Sequence, residues 1–200
     1  MAFGSDLRRM QGIILRLLMV CKYSEYIMDK PKFLYHGSSN PNIQIFKPFA
    51  KTYRNPKEGA VIFAAPTKAA ATKFIVSCDD SWSALGRFGS TYYALYSDEV
   101  RFKNNDIGGA LYTLPSNTFY IDPDYTGSYS EWVSKDAVVP VEVEHFSSGL
   151  TAMFSYGVHV YFTSPSVLDQ LRSAQDHGYA LLKTLTPANA LHDSTFIATL

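Results

Sequence analysis

Short apolar runs separated by polar turns make up most of the chain, and most of these runs are too short to be helices. Residue types that favour strands fill the runs at 33–35, 60–65, 91–96, 110–114, 118–121 and 158–162. Apolar and polar residues alternate after Pro140, which predicts a strand over 138–144 with one side facing solvent. The pattern therefore predicts a domain built from many short strands.

Helical periodicity is confined to a few segments. Thr67 precedes the alanine-rich segment 68–75 and is predicted to cap the helix that this segment forms. Residues 150–156 and 166–174 are predicted as two further helices, and Gly178 as the end of the second. Because helices do not alternate regularly with strands, the pattern argues against a doubly wound parallel sheet. We predict an α+β fold with mixed, largely antiparallel sheets and few helices.

The chain is expected to hold one domain, because 200 residues is an ordinary length for one. We place this domain at residues 28–186. Residues 1–27 are expected to be an accessory N-terminal helix or a misassigned start, since their apolar run is interrupted by Arg16 and is too short for a membrane span. Residues 187–200 are weakly patterned and are predicted to be a tail.

Composition narrows the functional classes. Hydrophobic residues make up 46% of the chain and charged residues 18%, so a sizeable core is available and the composition argues against global disorder. The formal net charge is zero, which argues against a long groove that follows a phosphate backbone. The two cysteines form neither a disulfide framework nor a zinc site, and they favour a cytoplasmic location. No membrane association is expected.

The segment 33–39 carries the first candidate chemistry. An apolar strand ends here in His36, Gly37 and Ser38, so an imidazole, an approachable main chain and a small hydroxyl lie at one sheet edge. Glycine lets a ligand touch the main chain because it has no Cβ atom. The alternative is a histidine satisfied within the fold beside a turn glycine.

Other polar clusters favour structural roles. The segments 79–82 and 86–89 are predicted to form a loop in which the paired aspartates cap or turn the chain, and no metal site is predicted. Asp176 and His177 are expected to lie at a helix end, with an acid–base pair as the alternative. The polar loop 51–59 carries Arg54 and Lys57, which could meet an anionic ligand or simply face solvent.

Three segments then follow in an informative order: a strand that ends at His36, the strand 61–64 leading into a helix rich in lysine and alanine, and a strand that starts near Glu131. This order resembles the ADP-ribosyltransferase fold of the diphtheria-toxin and poly(ADP-ribose) polymerase type. That family carries a His-Tyr-Glu triad on three strands and uses NAD as a substrate. The resemblance covers roughly residues 34–144 and implies a split-sheet core.

The resemblance assigns roles to the residues at the first and third strands. It implies that Glu131 is the catalytic glutamate and that His36 hydrogen-bonds the adenosine ribose and positions NAD. It implies that the main chain of Gly37 holds the nicotinamide carboxamide, and that Ser38 belongs to the same NAD-binding segment.

The second strand departs from the family pattern. The family typically has Tyr-Phe-Ala there, whereas this chain has Ile62, Phe63 and Ala64. Ile62 would therefore give the nicotinamide an apolar contact but no stacking. Phe63, the next residue, is also predicted to bind NAD. Phe74, after the helix, is the candidate for an aromatic ring on the other face of the nicotinamide.

The expected function is therefore cleavage of the nicotinamide–ribose bond of NAD and transfer of ADP-ribose to an acceptor. The acceptor is a protein, a nucleotide or a short single-stranded nucleic acid, and the sequence fixes neither it nor the oligomeric state. One alternative is a non-catalytic module that binds NAD or ADP-ribose, or mediates an interaction. Another is an enzyme similar to RNA 2′-phosphotransferases, although that chemistry needs several arginines to hold phosphates.

Overall fold

The computed structural model describes residues 30–49, 59–121 and 131–188. The chain divides into two compact units, Met1–Pro31 and Lys32–Leu200. The predicted N-terminal segment 1–27, the polar loop with Arg54 and Lys57, and most of the predicted tail lie outside the described residues.

The described part of the second unit contains nine strands and five helices. The strands are β1 (Phe33–Ser38), β2 (Ile62–Ala64), β3 (Ser83–Phe88), β4 (Thr91–Tyr96), β5 (Gly109–Pro115), β6 (Tyr120–Ile121), β7 (Trp132–Ser134), β8 (Glu142–Phe146) and β9 (His159–Phe162). The helices are α1 (Lys68–Thr72), α2 (Glu99–Asn105), α3 (Gly149–Ser155), α4 (Pro165–Ser173) and α5 (Tyr179–Leu182).

The strands form three sheets of three strands each, in the orders β1-β5-β8, β2-β7-β6 and β3-β4-β9. All pairings among these strands are antiparallel except that of β4 with β9, which is parallel. The predicted α+β class with mixed, largely antiparallel sheets is confirmed.

The first two sheets meet at one bridge. Tyr35 of β1 and Ala65, directly after β2, exchange backbone hydrogen bonds of 2.9 and 2.8 Å. Beyond this bridge no further pair joins β1 to β2 among the described residues. Helix α1 follows the bridge after two residues and packs on β1, so a strand, a bridge and a helix converge at one point.

The cap of α1 agrees with the sequence prediction. The Thr67 hydroxyl accepts a hydrogen bond of 3.2 Å from the backbone N–H of Ala70 and so satisfies one of the free donors of the first turn. The helix ends at Thr72 rather than at residue 75, and Phe74 N–H and Ile75 N–H bond to carbonyls of Ala71 and Thr72 in a tighter final turn.

Apolar residues from the sheets fill the interior. Leu34, Ile62, Tyr112 and Leu114 share one cluster between the first two sheets. A second cluster between the third sheet and helices α2 and α3 contains Tyr96, Phe102, Met153 and Val160, among others. Residues from α1 and the turn after it, from α3 and from β5 form a third cluster, to which Ala70, Ala71, Ile75, Leu111 and Ala152 belong.

The prediction of a loop over 79–82 and 86–89 is wrong in its second half. Residues Ser83–Phe88 form β3, a hairpin partner of β4 in which Gly86 lies opposite Tyr93. The glycine is needed because a Cβ atom there would collide with the Tyr93 ring. Gly86 therefore marks close side-chain packing across a hairpin, not a loop.

Hydrogen bonds show the turn role expected of Asp79, and they place Asp176 at the start of a helix rather than at the end of the preceding one. The Asp79 carboxylate accepts from Ser81 N–H at 2.8 Å and from the Arg101 guanidinium at 2.9 Å. The Asp176 carboxylate accepts from Gly178 N–H at 3.0 Å and from Ala180 N–H at 2.8 Å, at the start of α5. Gly178, predicted to end a helix, instead precedes α5 with a φ of 77°.

Candidate functional site

A cavity of about 350 Å³ lies where β1, β2 and α1 converge. This volume is at the lower end of the range typical of small-molecule sites, about 300–1,000 Å³. The residues that line it are Tyr35, His36, Gly37, Phe63, Ala64, Ala65, Ala71, Phe74 and Glu131. The cavity thus brings together five of the residues singled out from the sequence, which are far apart along the chain: His36, Gly37, Phe63, Phe74 and Glu131.

Strand register explains how Glu131 reaches the cavity. Ala64 of β2 lies opposite Trp132 of β7 in an antiparallel pair. Continuing that register by one residue sets Ala65 opposite Glu131, and Ala65 is also the bridge partner of Tyr35. Glu131 is therefore two strand spacings from β1, about 10 Å between backbones.

His36 is held by a backbone hydrogen bond that fixes its tautomer. Its Nδ1 atom lies 2.7 Å from the carbonyl oxygen of Phe63. Because that oxygen can only accept, Nδ1 donates, and Nε2 of the neutral ring is left as an acceptor. Burial lowers the pKa of His36 from its ordinary 6.5, although the bond to Phe63 acts in the opposite direction. The ring is therefore neutral at pH 7 and is braced edge-on by Phe46 at 4.8 Å between ring centroids.

Gly37 is enclosed by α1 and presents main chain to the cavity. A Cβ atom at this position would lie 3.0 Å from the carbonyl carbon of Ala71 and closer still to its oxygen. Successive residues of a strand direct their N–H and C=O groups to opposite sides. Tyr35 directs its N–H and C=O toward Ala65. Gly37, two residues later, therefore directs its N–H and C=O to the same side of β1, away from β5. The bridge between Tyr35 and Ala65 does not extend to Gly37.

The remaining walls are apolar. Tyr35, Phe63 and Phe74 contribute aromatic rings, and Phe74 keeps 47% of its surface exposed. Ala65 and Ala71 are small, which leaves the space that the rings surround, whereas the side chain of Ala64 packs in the core cluster with Ile62. Aromatic faces with one carboxylate among them suit a flat ring that carries positive charge.

Two residues predicted to bind NAD do not line the cavity. Ser38 lies beyond it and accepts a hydrogen bond of 3.1 Å from Asn40 N–H through its hydroxyl. Ile62 is 4% exposed and packs in the core cluster with Leu34. The reason is strand alternation, since Ile62 and Phe63 point to opposite faces of β2.

Sequence reasoning missed some of the walls and a buried lysine beside them. Tyr35 was available as a candidate because it precedes His36 in the same strand. Ala65 and Ala71 carry a weaker signal, because small residues also occur in any tight core. Lys73, directly after α1, is 1% exposed, and nothing in its alanine-rich segment distinguishes it from a solvent-facing lysine.

Comparison of the chain with protein-family models, with curated proteins and with solved structures finds no match. Within residues 30–49, 59–121 and 131–188, no group of three or more His, Cys, Asp or Glu side chains could hold a metal ion. No helix in the same ranges has the length and apolar character needed to cross a membrane.

Proposed function

We propose that the protein cleaves the nicotinamide–ribose bond of NAD and transfers ADP-ribose to an acceptor. The observation that carries the proposal is the convergence of His36 and Glu131 in one cavity of about 350 Å³. His36 lies in β1 and Glu131 directly before β7, and the resemblance to the ADP-ribosyltransferase fold assigns them a joint role. The proposal includes a cytoplasmic location, with which the free thiol of Cys78 is compatible.

Glu131 supplies the electrostatic part of the reaction. Cleavage of the bond develops positive charge on the ribose, as in the oxocarbenium-like transition state of glycoside hydrolysis. A carboxylate fixed beside that sugar stabilises the charge and can orient the acceptor nucleophile or take its proton. Nicotinamide leaves as a neutral base, so no general acid is needed, and the described cavity lining contains no second carboxylate.

His36 and Gly37 supply binding and orientation. Nε2 of the neutral His36 accepts a hydrogen bond, so it suits a ribose hydroxyl. The main-chain N–H and C=O of Gly37 form a donor–acceptor pair on one strand edge, which matches the two hydrogen-bonding groups of a carboxamide. Holding the sugar and the ring by separate groups fixes the bond between them, which lowers the entropic part of the barrier.

The aromatic walls hold the leaving ring. Phe63 and Tyr35 lie within the cavity and Phe74 lies toward solvent, so the ring enters an apolar space that excludes most water. The cavity has room for a nicotinamide and part of its sugar, and the rest of NAD extends outside it. Ile62 takes no part in this arrangement, because its side chain belongs to the core.

The test is release of nicotinamide from NAD by purified protein, with cell lysate present as a source of acceptors. Glu131→Gln keeps the size of the side chain and removes its charge, and we expect it to slow release by about 100-fold or more. Glu142→Gln is the matched control, because Glu142 bonds to Thr113 on β5 and does not line the cavity.

The outcomes separate the functional classes. Release that Glu131→Gln abolishes and Glu142→Gln preserves supports the transferase. Equal release by wild type and Glu131→Gln would refute the role of the carboxylate. Saturable NAD binding without release would favour the non-catalytic binding module instead.

A further inference from the structure

Tyr112 lies directly across from His36 in the first sheet. The register of β1 and β5 pairs these two residues, and residues opposite each other in an antiparallel pair have their side chains on the same face. Tyr112 is fully buried and does not line the cavity. A buried tyrosine hydroxyl usually finds its hydrogen-bond partners inside the fold, so those partners show what the side chain holds in place.

The Tyr112 hydroxyl holds the segment 39–46, which follows β1. It donates a hydrogen bond of 2.7 Å to the carbonyl oxygen of Asn40 and accepts one of 2.9 Å from the backbone N–H of Ile43. The hydroxyl is thereby used both as a donor and as an acceptor. Because both partners are main-chain groups, the hydroxyl fixes the path of the chain between β1 and Phe46.

Phe46 transmits this constraint to His36. The Phe46 ring contacts Tyr112 edge-on at 5.0 Å between ring centroids and an interplanar angle of 82°, and it contacts His36 at 4.8 Å and 63°. Edge-to-face contacts between rings are favourable and depend on orientation. The backbone of Phe46 also exchanges hydrogen bonds of 2.8 and 3.0 Å with Val138. A ring held in this way restrains the imidazole that it contacts.

The His36 ring needs this second restraint, because its hydrogen bond to Phe63 fixes only one of its atoms. That bond holds Nδ1 at 2.7 Å from the Phe63 carbonyl oxygen, and the ring can still tilt about Nδ1. Hydrogen bonds weaken steeply when donor and acceptor are misaligned, so a tilted ring would present Nε2 poorly to a ligand. Contact with Phe46 limits the tilt.

We propose that Tyr112 is a positioning residue of the cavity: its hydroxyl holds the segment 39–46 so that Phe46 keeps Nε2 of His36 directed at a ligand hydroxyl. The proposal rests on the proposed function in one respect, namely that this ligand hydroxyl belongs to the ribose of NAD. Tyr112 acts through His36 and does not touch the ligand.

Two measurements on Tyr112→Phe test the proposal, and the first needs no ligand. The substitution keeps the ring and removes only the hydroxyl. Nitrogen NMR of isotope-labelled protein at pH 8 reports which ring nitrogen of the neutral His36 carries the proton. Wild type should show one form, with the proton on Nδ1, and Tyr112→Phe should show a mixture of both forms. Calorimetric titration should show about three- to tenfold weaker NAD binding, as expected when one hydrogen bond to the ligand is lost.

Tyr96→Phe is the matched control. Tyr96 is also fully buried, but its hydroxyl contacts the Met153 sulfur at 3.8 Å in the second core cluster, and it does not line the cavity. Tyr96→Phe should leave the His36 spectrum and NAD binding as in wild type. Phe46→Leu provides a second test if Tyr112→Phe does not fold, because it removes the ring that contacts His36. It should give the same mixture of forms and similarly weaker NAD binding.

A double-mutant cycle distinguishes positioning from a general effect on the fold. If Tyr112 acts through His36, Tyr112→Phe should weaken NAD binding about three- to tenfold when His36 is present and should have no effect in His36→Ala. An equal loss in both backgrounds would overturn the proposal, since the hydroxyl would then act by another route. An unchanged His36 spectrum in both Tyr112→Phe and Phe46→Leu would overturn it as well.

The outcomes also separate this proposal from the proposed function. A changed His36 spectrum in a protein that does not bind NAD keeps Tyr112 as the residue that positions His36 and rejects the NAD site. Cleavage of NAD by a protein whose His36 spectrum is insensitive to Tyr112→Phe keeps the transferase and rejects the role of Tyr112.

Discussion

The close packing of α1 on β1 gives a sharp prediction for Gly37→Ala. The added methyl would lie 3.0 Å from the Ala71 carbonyl carbon, nearer still to its oxygen, and 3.3 Å from Ile75 Cγ1. Attractive contacts between such atoms begin at about 3.5 Å. Relief requires α1 or β1 to move, because the obstruction is backbone and cannot rotate away.

The expected cost follows from this geometry. Overpacking a tight core typically costs about 1–3 kcal/mol, and a clash with backbone belongs at the upper end. Alanine in place of glycine in a strand recovers about 0.5–1 kcal/mol of chain entropy, so we expect a net loss of about 2 kcal/mol in the free energy of unfolding. For a domain of this size, that lowers the Tm by roughly 4–8 °C.

Urea denaturation measures the loss, and calorimetric titration with NAD measures its effect on the cavity. Gly157→Ala is the control, because its φ is 70° and no atom lies near the added methyl, so it tests conformational strain alone at about 1 kcal/mol. We expect Gly37→Ala to weaken NAD binding and Gly157→Ala to leave it unchanged. If Gly37→Ala unfolds at the same urea concentration as wild type, the close approach of α1 is not as described.

Two further substitutions test the support of the site. Because the pKa of His36 is lowered in the folded state, its neutral form stabilises the fold fully above pH 6.5, and this stability is lost as the pH falls through the folded pKa. His36→Gln can still donate a hydrogen bond to Phe63 but does not titrate. It should therefore reduce the loss in the free energy of unfolding between pH 7.5 and pH 5.5, measured by urea denaturation. A loss as large as that of wild type would contradict the burial of a neutral His36 ring. Thr67→Ala removes the cap of α1 and should cost about 1 kcal/mol in the same assay, whereas a cost as large for Thr67→Ser would point to packing instead.

Much of the site was predictable because its residues lie on strands with simple patterns. The apolar run that ends at His36 identified β1, and Thr67 with the alanines after it identified α1. The start of β7 next to Glu131 was also predicted. The pairing of Tyr35 with Ala65 and of Ala64 with Trp132 brings these segments together. Which strands pair could not be predicted from the sequence.

The failures have physical reasons of the same kind. Ile62 was assigned to the ligand from a family pattern, but alternation along β2 directs its side chain into the core. Gly86 looked like a loop residue, because a glycine needed for packing and one needed for a turn are identical in sequence. The burial of Lys73 was not predicted, because it depends on Gly86 and Tyr92 of the third sheet.

The backbone edge of β1 at Gly37, which follows the bridge to β2, determines which mutations the site can tolerate. Every residue other than proline has a main-chain N–H and C=O, so replacing the side chains of neighbouring positions leaves the N–H and C=O of residue 37 in place. Inserting or deleting a single residue between Tyr35 and Gly37 is different, because it turns the N–H and C=O of the glycine toward β5. Point substitutions in this strand should therefore be milder than single-codon insertions or deletions, except at His36 and Gly37.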